Sequence, residues 1–274
     1  MQYAYAYQLN GSQTSGLDPD AKAYINAVVG AGATVTSTQR NAINNFYKTG
    51  KKDGWYSQLK RMYLPIWAAA SPNAIDMVVR TSGTFGGGIT HSSGYATGNG
   101  STGYFEYDTT AVTQGLSAST GLLFWLSYVG GTVGFQLGGF NGTGTGNRAV
   151  LYAAPGAITS EQTTLTTTVF ATGGTSFNLG IVLSTRTSTT SHKVFQRRTT
   201  FAQRGATNTT AETVASSSVN QAAWARGQGA TRTNFSNAGL GAHGFGLGMT
   251  DLQAENFTLA LKTLWETSTG LALP

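Results

Sequence analysis

The spacing of apolar and polar residues after the first part of the chain is typical of helices. Asp18-Pro19 can begin a helix, and apolar residues then recur three and four positions apart up to Gly30. The capping-box sequence Thr36-Ser37-Thr38-Gln39 predicts a second helix, whose apolar stripe stops at Gly50.

A third helix is predicted from Trp55 onwards. Its apolar stripe consists of Leu59, Met62, Tyr63 and Ile66, and Pro65 is expected to kink or end it. Three helices this short cannot bury a strong core alone. We therefore expect them to pack on the domain that follows or on a partner.

From Asn73 onwards the apolar period changes from a helical repeat to two. Short apolar runs alternate with Gly, Ser, Thr and Asn turns, which is typical of a β-sandwich or jelly roll. The predicted strands include AIDMVV, YFEYD, LLFWLSYV, TVGFQL, RAVLYAA, FNLGIVLS and HKVFQ. A last helix is predicted over 250–269, because a capping box at Thr250 precedes an apolar stripe that Gly270 closes. The predicted fold class is mainly β, a two-sheet antiparallel jelly-roll sandwich with a short N-terminal helical region and a C-terminal helix.

The first sixteen residues alternate tyrosine with alanine and then become polar. Tyr3, Tyr5 and Tyr7 share one side of an extended segment. This segment is either the first strand of the main domain or an arm that docks on a neighbouring subunit. We divide the chain into an extended arm (1–16), a small helical region (17–72) and a β-domain with its C-terminal helix (73–274).

Composition narrows the possible chemistry. Charged residues make up 10% of the 274 positions, against about 25% in typical proteins, and there are 37 glycines and no cysteines. Disulfides and cysteine metal sites are therefore excluded. The net charge of +6 comes from scarce acids rather than from clustered bases. Because the bases are spread out and accompany no nucleic-acid motif, we do not expect nucleic-acid binding.

Targeting signals are not evident in the sequence. The first residues lack the basic and apolar regions of a signal peptide, and no apolar stretch of the sequence is long enough to span a membrane. We therefore expect synthesis in a cytoplasm with no membrane span.

Two acids stand two positions apart in the strand YFEYD. Glu106 and Asp108 would share one face of a strand, opposite Phe105 and Tyr107. Jelly-roll glycan hydrolases of the laminarinase type carry a third acid farther along such a strand, where this chain has Thr110 and Ala111. We interpret Glu106 and Asp108 as solvent-facing residues and predict no catalytic residue.

Two other patterns were candidates for binding. The glycine-rich stretch 130–148 lacks the ending of a phosphate-binding loop, and Phe140, Asn141, Asn147 and Arg148 there are candidate sugar-binding residues, with ordinary turn formation as the alternative. The three histidines, His91, His192 and His243, stand far apart in sequence, so we predict neither a metal site nor a cofactor.

Several segments resemble laminin-G-like and concanavalin-A-like domains. They are ATGNGSTGYFEYD, FNLGIVLSTRTSTTSHKVFQRRTTF and GFGLGMTDLQAENFTLALKTLWETSTG, which occur in the order found in those domains. The helical segment DGWYSQLKRMYLPIWAAASPNAIDM resembles a region that precedes this domain in tailed-phage virion proteins. The resemblance covers roughly residues 18–270.

The resemblance implies a non-enzymatic structural protein located in the virion, as a tail, fibre or capsid-surface component. Its partners would be copies of itself, other virion proteins and host-surface glycans. The calcium sites of related lectins are not expected, because the segment between Asp108 and Glu161 contains no acid. The alternatives are a carbohydrate-binding module and a divergent jelly-roll glycan hydrolase.

Overall fold

The computed structural model describes residues 16–131, 134–140, 148–154, 157–162, 168–172, 179–211, 217–228 and 231–274. Within these ranges the chain is mainly β, with two sheets and with helices before and after them. The helices are α1 (Pro19–Gly30), α2 (Ser37–Lys52), the single turn α3 (Ala70–Asn73) and α4 (Asp251–Thr269). The arm predicted over 1–16 lies, apart from Gly16, outside the described residues.

The strands are short and most are separated by turns. In chain order they are β1 (Leu59–Tyr63), β2 (Thr84–Gly86), β3 (Ile89–Ser92), β4 (Tyr95–Gly98), β5 (Tyr104–Thr110), β6 (Gly121–Val129), β7 (Gly134–Phe140), β8 (Arg148–Ala154), β9 (Ala157–Gln162), β10 (Thr168–Thr172), β11 (Gly180–Ser188), β12 (Ser191–Arg197), β13 (Phe201–Gln203), β14 (Asn220–Ala223), β15 (Arg226–Gln228), β16 (Thr231–Thr233) and β17 (Gly239–Gly246).

These strands form two sheets. The first has the order β13-β12-β11-β6-β17-β4-β3, with β1 also paired to β17. The second has the order β10-β9-β8-β7-β14-β5-β2, and the β15–β16 hairpin joins it at β7. Among the described strands, every pair is antiparallel except β15 with β7. A two-sheet, mainly antiparallel β architecture with flanking helices is therefore confirmed.

Local capping explains why three of the predicted helices form. The capping boxes at Thr36 and Thr250 are both closed, each by the glutamine three residues later. The Asp18 side chain accepts from the N–H of Asp20 at the start of α1. Helix α2 continues two residues beyond Gly50 and ends at Lys52. A side chain at position 50 would collide with the Trp55 ring, so Gly50 is required for packing and does not end the helix.

The predicted third helix is wrong. Residues Leu59–Tyr63 form strand β1, which pairs with Gly244 and Gly246 of β17. A Cβ at Gly246 would lie 2.1 Å from the Gln58 carbonyl oxygen, so glycine is what allows the two strands to approach. Met62 packs with the helices while Tyr63 packs between the sheets, which is the alternation of a strand.

The predicted strand AIDMVV is also wrong. Only isolated bridges form there, from Ile75 to Ser82 and from Asp76 to Tyr63. The Asp76 carboxylate instead accepts hydrogen bonds from the N–H groups of Val78 and Val79, which bends the chain into a turn.

The molecule is arranged in three layers, because the first sheet is covered on both faces. Leu122, Phe124 and Leu126 of β6 pack against the helices, while Leu123 and Trp125 pack between the sheets. All five are fully buried, which explains the unbroken apolar run of this strand. The second sheet consequently has one face toward this core and one outer face, on which a site can form.

Candidate functional site

Strand β5 carries the two acids that stood out in the sequence. Phe105 and Tyr107 are buried between the sheets, whereas Glu106 is half-buried and Asp108 is exposed. The predicted orientation of this strand, aromatic residues inward and acids outward, is confirmed.

Asp108 reaches its exposed position through a bulge. Thr110 pairs with Asn220 and Glu106 pairs with Ala222, so three residues of β5 lie opposite one residue of β14. Asp108 has a φ of 53°, in the left-handed region that aspartate tolerates better than most residues. Its carboxylate accepts a hydrogen bond from Thr84 Oγ1 at 3.2 Å.

Glu106 is the centre of a polar cluster on the outer face of the second sheet. It forms an ion pair with Arg232, and it accepts a hydrogen bond from Asn220 Nδ2 at 2.8 Å. The Arg232 guanidinium also lies over the Tyr104 ring, 5.7 Å from its centroid. We call these four residues, Tyr104, Glu106, Asn220 and Arg232, the outer-face cluster.

The β15–β16 hairpin extends this cluster with further planar side chains. Arg226 donates to Gln228 Oε1 at 3.1 Å and to Asn234 Oδ1 at 3.4 Å, and Thr233 also donates to Gln228. Asn234 has a φ of 54°, which turns the chain after the hairpin.

One donor of the outer-face cluster is left over. Arg232 Nε is buried and has no hydrogen-bond partner among the described residues. The cluster thus combines an aromatic ring, an amide, a carboxylate and a guanidinium group, held in place by their mutual contacts. Such a surface can recognise a ligand that offers hydroxyl or carboxylate oxygens.

Sequence reasoning did not identify this cluster. In the sequence Arg232 is one of several dispersed bases, and its partner Glu106 lies 126 positions earlier. The ion pair between Arg232 and Glu106 forms because the β15–β16 hairpin lies next to β7. The local sequence pattern does not show this position of the hairpin.

The residues predicted to bind sugar lie largely outside the described part. Phe140 ends β7 and Arg148 begins β8, and their backbones are paired. Asn141 and Asn147 belong to the range 141–147, which falls outside the described residues, as do the side chains of Phe140 and Arg148. Their role in sugar binding stays a prediction.

Two histidines are parts of the buried interior. His243 Nδ1 and the Tyr107 hydroxyl are hydrogen-bonded at 2.6 Å, and burial lowers the pKa of His243 to about 3. His192 lies 2.8 Å from Ser184 Oγ, and burial together with the neighbouring Arg186 lowers its pKa to about 3. Both are uncharged at neutral pH, and their contacts are those of structural residues.

Asp76 is the buried acid of the helical side. Burial raises its pKa to about 6, although the N–H groups of Val78 and Val79 and the charge of Arg61 act in the opposite direction. Its carboxylate lies 3.5 Å from Arg61 Nε.

Across the described ranges, no group of three or more His, Asp or Glu side chains is placed to hold a metal ion. Among the helices described, none is long and apolar enough to cross a membrane.

Comparisons with known proteins show similarity in fold. The sequence matches no protein-family model and none of the curated proteins. A structure of Trypanosoma rangeli sialidase with 2,3-difluoro-KDN has a TM-score of 0.52 and 11% identity, covering 81% of this chain and 39% of the sialidase. The same sialidase with 2,3-difluorosialic acid gives a TM-score of 0.52 and 9% identity, covering 82% and 40%.

A further similar structure is domain 4 of AbnA, an arabinanase from Geobacillus stearothermophilus, in complex with arabinotriose. Its TM-score is 0.44 at 12% identity, covering 74% of this chain and 98% of that domain. The chain spans about two fifths of the length of the sialidases. At these identities the sialidase comparison shows a shared fold alone.

Proposed function

We propose that this chain is a non-enzymatic structural protein of a phage particle, in which a lectin-like jelly roll contacts host-surface glycans. The observation that carries the glycan contact is the outer-face cluster. Tyr104, Glu106, Asn220 and Arg232 present a ring and three kinds of planar polar group on the open face of the second sheet.

The chemistry of this cluster fits a sugar. A sugar ring has an apolar face, which packs on an aromatic ring, and hydroxyl groups, which pair with amide, carboxylate and guanidinium groups. The salt bridge and the hydrogen bond to Asn220 hold these groups before a ligand arrives, so less side-chain entropy is lost on binding.

The comparisons support this proposal only through the fold. The two sialidase structures hold a difluoro-KDN and a difluorosialic acid, which are sugar acids, but the likeness covers about two fifths of that protein. The likeness supports a β-sandwich fold that is also present in a glycan-acting protein. That the strands of this sandwich have the jelly-roll connectivity is part of the proposal.

The absence of catalysis is also proposed. The carboxylate of Glu106 already binds an arginine and an amide, and its strand has Thr110 and Ala111 where a laminarinase-type strand has its third acid. The phage assignment rests on the sequence resemblance, above all on the order of the helical segment before the β-domain.

A binding experiment tests the glycan contact. The purified chain is screened on a glycan array, and the dissociation constant for the best ligand is measured by calorimetry. Arg232→Gln and Tyr104→Ala should each weaken binding by about tenfold or more while leaving the melting temperature within a few degrees. Lys22→Gln, which removes one charge from the exposed side of α1, is the control and should bind normally.

The result would contradict the proposal if no glycan is retained or if Arg232→Gln binds as well as the unaltered chain. Release of reducing ends from a bound polysaccharide would overturn the non-enzymatic assignment. For the particle assignment, negative-stain images of phage particles treated with an antibody to this chain should show labelling at one structural position.

A further inference from the structure

The outer side of helix α4 carries two projecting leucines. Leu252 is 67% exposed and Leu259 is 50% exposed, which makes them the most exposed of the large apolar side chains in the described ranges. They are seven positions apart, about two turns of a helix, so they lie on one face. Single exposed apolar residues are ordinary, whereas a row of them on one face marks a contact surface.

The residues between and after these leucines complete a coiled-coil pattern. Leu252, Asn256, Leu259 and Thr263 follow one another at intervals of four, three and four residues, which are the intervals between successive d and a positions of a heptad. Leucine occupies both d positions, and the a positions carry Asn256 and Thr263. This row of four residues, which we call the α4 seam, carries no charge, as is usual for the centre of a protein interface.

A groove between α2 and α4 runs beside the α4 seam. The two helices lie side by side and antiparallel, since Gln39 near the start of α2 donates to the Ser268 carbonyl near the end of α4 at 3.1 Å. The groove has a volume of about 430 Å³, and the buried Phe46 and Leu264 form its floor. Leu259 stands at its edge. One surface thus presents a projecting apolar side chain next to an apolar depression.

We propose that two copies of this chain pair through their α4 seams, antiparallel about a two-fold axis. In this pairing the Leu259 side chain of each copy enters the groove of the other, beside Asn256 and Ala260. A projection and a depression on the same patch make that patch complementary to itself, which is what a two-fold interface requires.

The residues of the α4 seam are all matched in one antiparallel register. When Asn256 of one helix lies opposite Leu259 of the other, Leu252 lies opposite Thr263. Each of these layers places one leucine against one smaller polar side chain, and the two-fold axis repeats both layers. The register therefore covers all four leucines of the pair.

The charges beside the α4 seam fit this register. Glu255 is exposed and Lys262 is half-buried, and both occupy g positions of the heptad. Antiparallel helices bring their g positions together, so Glu255 of each copy comes beside Lys262 of the other. Lys262 already forms an ion pair with Glu266 of its own helix, and an ammonium with three donors can bind both carboxylates. The pairing therefore adds two intermolecular ion pairs.

A parallel pairing of the same helices would lack these ion pairs. Glu255 would then face Ala260, and Lys262 would face Thr267, neither of which is charged. Glu266, at the next d position, would face its own copy, and like charges across an interface repel. In the antiparallel register Glu266 lies beyond the end of the partner helix. The charges therefore favour the antiparallel arrangement.

The pairing places the helical layer at the centre of the dimer. The outer-face cluster lies on the far side of both sheets from the helices, so the two clusters of a dimer point away from each other. The interface and the glycan contact are thus separate surfaces, and each can be tested without the other.

The test measures the oligomeric state of the full chain by sedimentation equilibrium. The unaltered chain should show a reversible monomer–dimer equilibrium between about 1 and 200 µM, and Leu259→Lys should raise its dissociation constant at least about tenfold. The reason is that this substitution brings two positive charges into the interface. Val29→Lys is the matched control, because Val29 is 40% exposed on α1, and it should dimerise normally. The melting temperatures of monomeric samples should agree within a few degrees.

An exchange of charges tests the antiparallel register. Glu255→Lys alone and Lys262→Glu alone each bring like charges together, so each variant should self-associate at least about tenfold more weakly. An equimolar mixture of the two variants should form a heterodimer, because every contact between positions 255 and 262 then joins opposite charges.

Three results would each overturn the proposal. They are a chain that stays monomeric up to about 200 µM, a Leu259→Lys variant that dimerises as tightly as the unaltered chain, and a mixture of the two charge variants that associates no better than either alone. Glycan binding by the outer-face cluster should be the same per chain in all of these proteins.

Discussion

The Tyr107 hydroxyl and His243 Nδ1 are hydrogen-bonded at 2.6 Å, and this bond joins the two sheets across the core. Tyr107 belongs to β5 of the second sheet and His243 to β17 of the first. Tyr63 stacks on the same imidazole at 5.5 Å. The bond places a titratable group at the centre of the sandwich, where its protonation opposes folding.

Acid should therefore destabilise the protein below about pH 6.5. The folded pKa of His243 and of His192 is about 3, below the unfolded value of about 6.5, so the unfolded chain takes up protons first. Stability is full above that value and is lost as the pH falls. Between pH 7 and pH 5 each histidine should cost about 2 kcal/mol. Urea unfolding at pH 7, 6 and 5 measures this, and His243→Gln should roughly halve the loss.

Asp76 should act with the opposite sign. Its folded pKa of about 6 lies above its unfolded value, so the folded chain binds this proton first and gains stability as the pH falls from 6 toward 4. This gain of about 1 kcal/mol at pH 5 is smaller than the loss from two histidines. We expect Asp76→Asn to raise the free energy of unfolding at pH 7 by about 1 kcal/mol, with no gain at pH 4.

The matched variant Asp76→Ala should instead destabilise the protein at both pH values. It removes the acceptor for the N–H groups of Val78 and Val79, which costs about 2 kcal/mol. If the Asn and Ala variants behave alike in urea, the carboxyl is not the acceptor that shapes this turn.

The two acids of β5 should be dispensable for folding. Glu106→Gln together with Asp108→Asn should change stability by less than about 1 kcal/mol, because the amide oxygens can still accept from Asn220 and Thr84 and asparagine accepts a φ of 53°. Asp108→Val should cost about 2 kcal/mol at the same position, since a β-branched residue is strained there. Melting curves of the two variants separate the effect of losing the charges from the effect of backbone strain. A large fall in the melting temperature of the Glu106→Gln/Asp108→Asn variant would refute the assignment of these acids to the solvent face.

Strand β1 should depend on glycine in its neighbour. Gly246→Ala places a Cβ 2.1 Å from the Gln58 carbonyl oxygen, and we expect a loss of about 3 kcal/mol or more. Gly30→Ala is the control, because nothing lies within 4 Å of its Cβ and its φ is not positive. The control should be neutral or slightly stabilising. Equal unfolding midpoints in urea would show that β1 can shift without cost.

Helix α4 should be indispensable to the fold. Phe257, Leu261, Leu264 and Trp265 are at most 1% exposed, and Trp265 Nε1 donates to the Gly94 carbonyl at 2.7 Å. Truncation after Gly248 should give insoluble protein or protein without a near-UV spectrum. Truncation after Gly270 keeps the helix and should stay folded. A soluble product of the first truncation with an unchanged spectrum would mean that the helix is an appendage.

Local sequence signals were sufficient for helices α1, α2 and α4 and for the longer strands, such as β6 and β11. The capping boxes at Thr36 and Thr250 act within four residues, so the helices that they begin are readable from sequence alone. The orientation of β5 was readable as well, because alternation is a property of the strand itself. Strand β1 was not readable from the sequence, since the spacing of Leu59 and Met62 also fits a helix. The glycines that allow β1 to pair as a strand lie in β17.

The candidate site was less accessible to sequence reasoning than the fold. Glu106 drew attention as one of two acids, yet its significance comes from Arg232 and Asn220, which reach it only through the arrangement of the second sheet. The boundaries of the arm and of the helical region stay predictions, as do the sugar contacts of Phe140, Asn141, Asn147 and Arg148. Long-range pairing of this kind leaves no periodic pattern in the sequence.

The pairing of β1 with β17 has a consequence for synthesis on the ribosome. Met62 lies opposite Gly244, so the two partners are separated by 182 positions of chain. At about 5 to 20 residues per second, roughly 10 to 40 seconds pass between the translation of the two strands. Phe46 of α2 likewise contacts Phe257 of α4, which is translated later still. The apolar side chains of the first part of the nascent chain, such as Phe46 and Met62, therefore stay exposed until their partners have been translated. We expect a chaperone to bind the nascent chain most strongly at this stage.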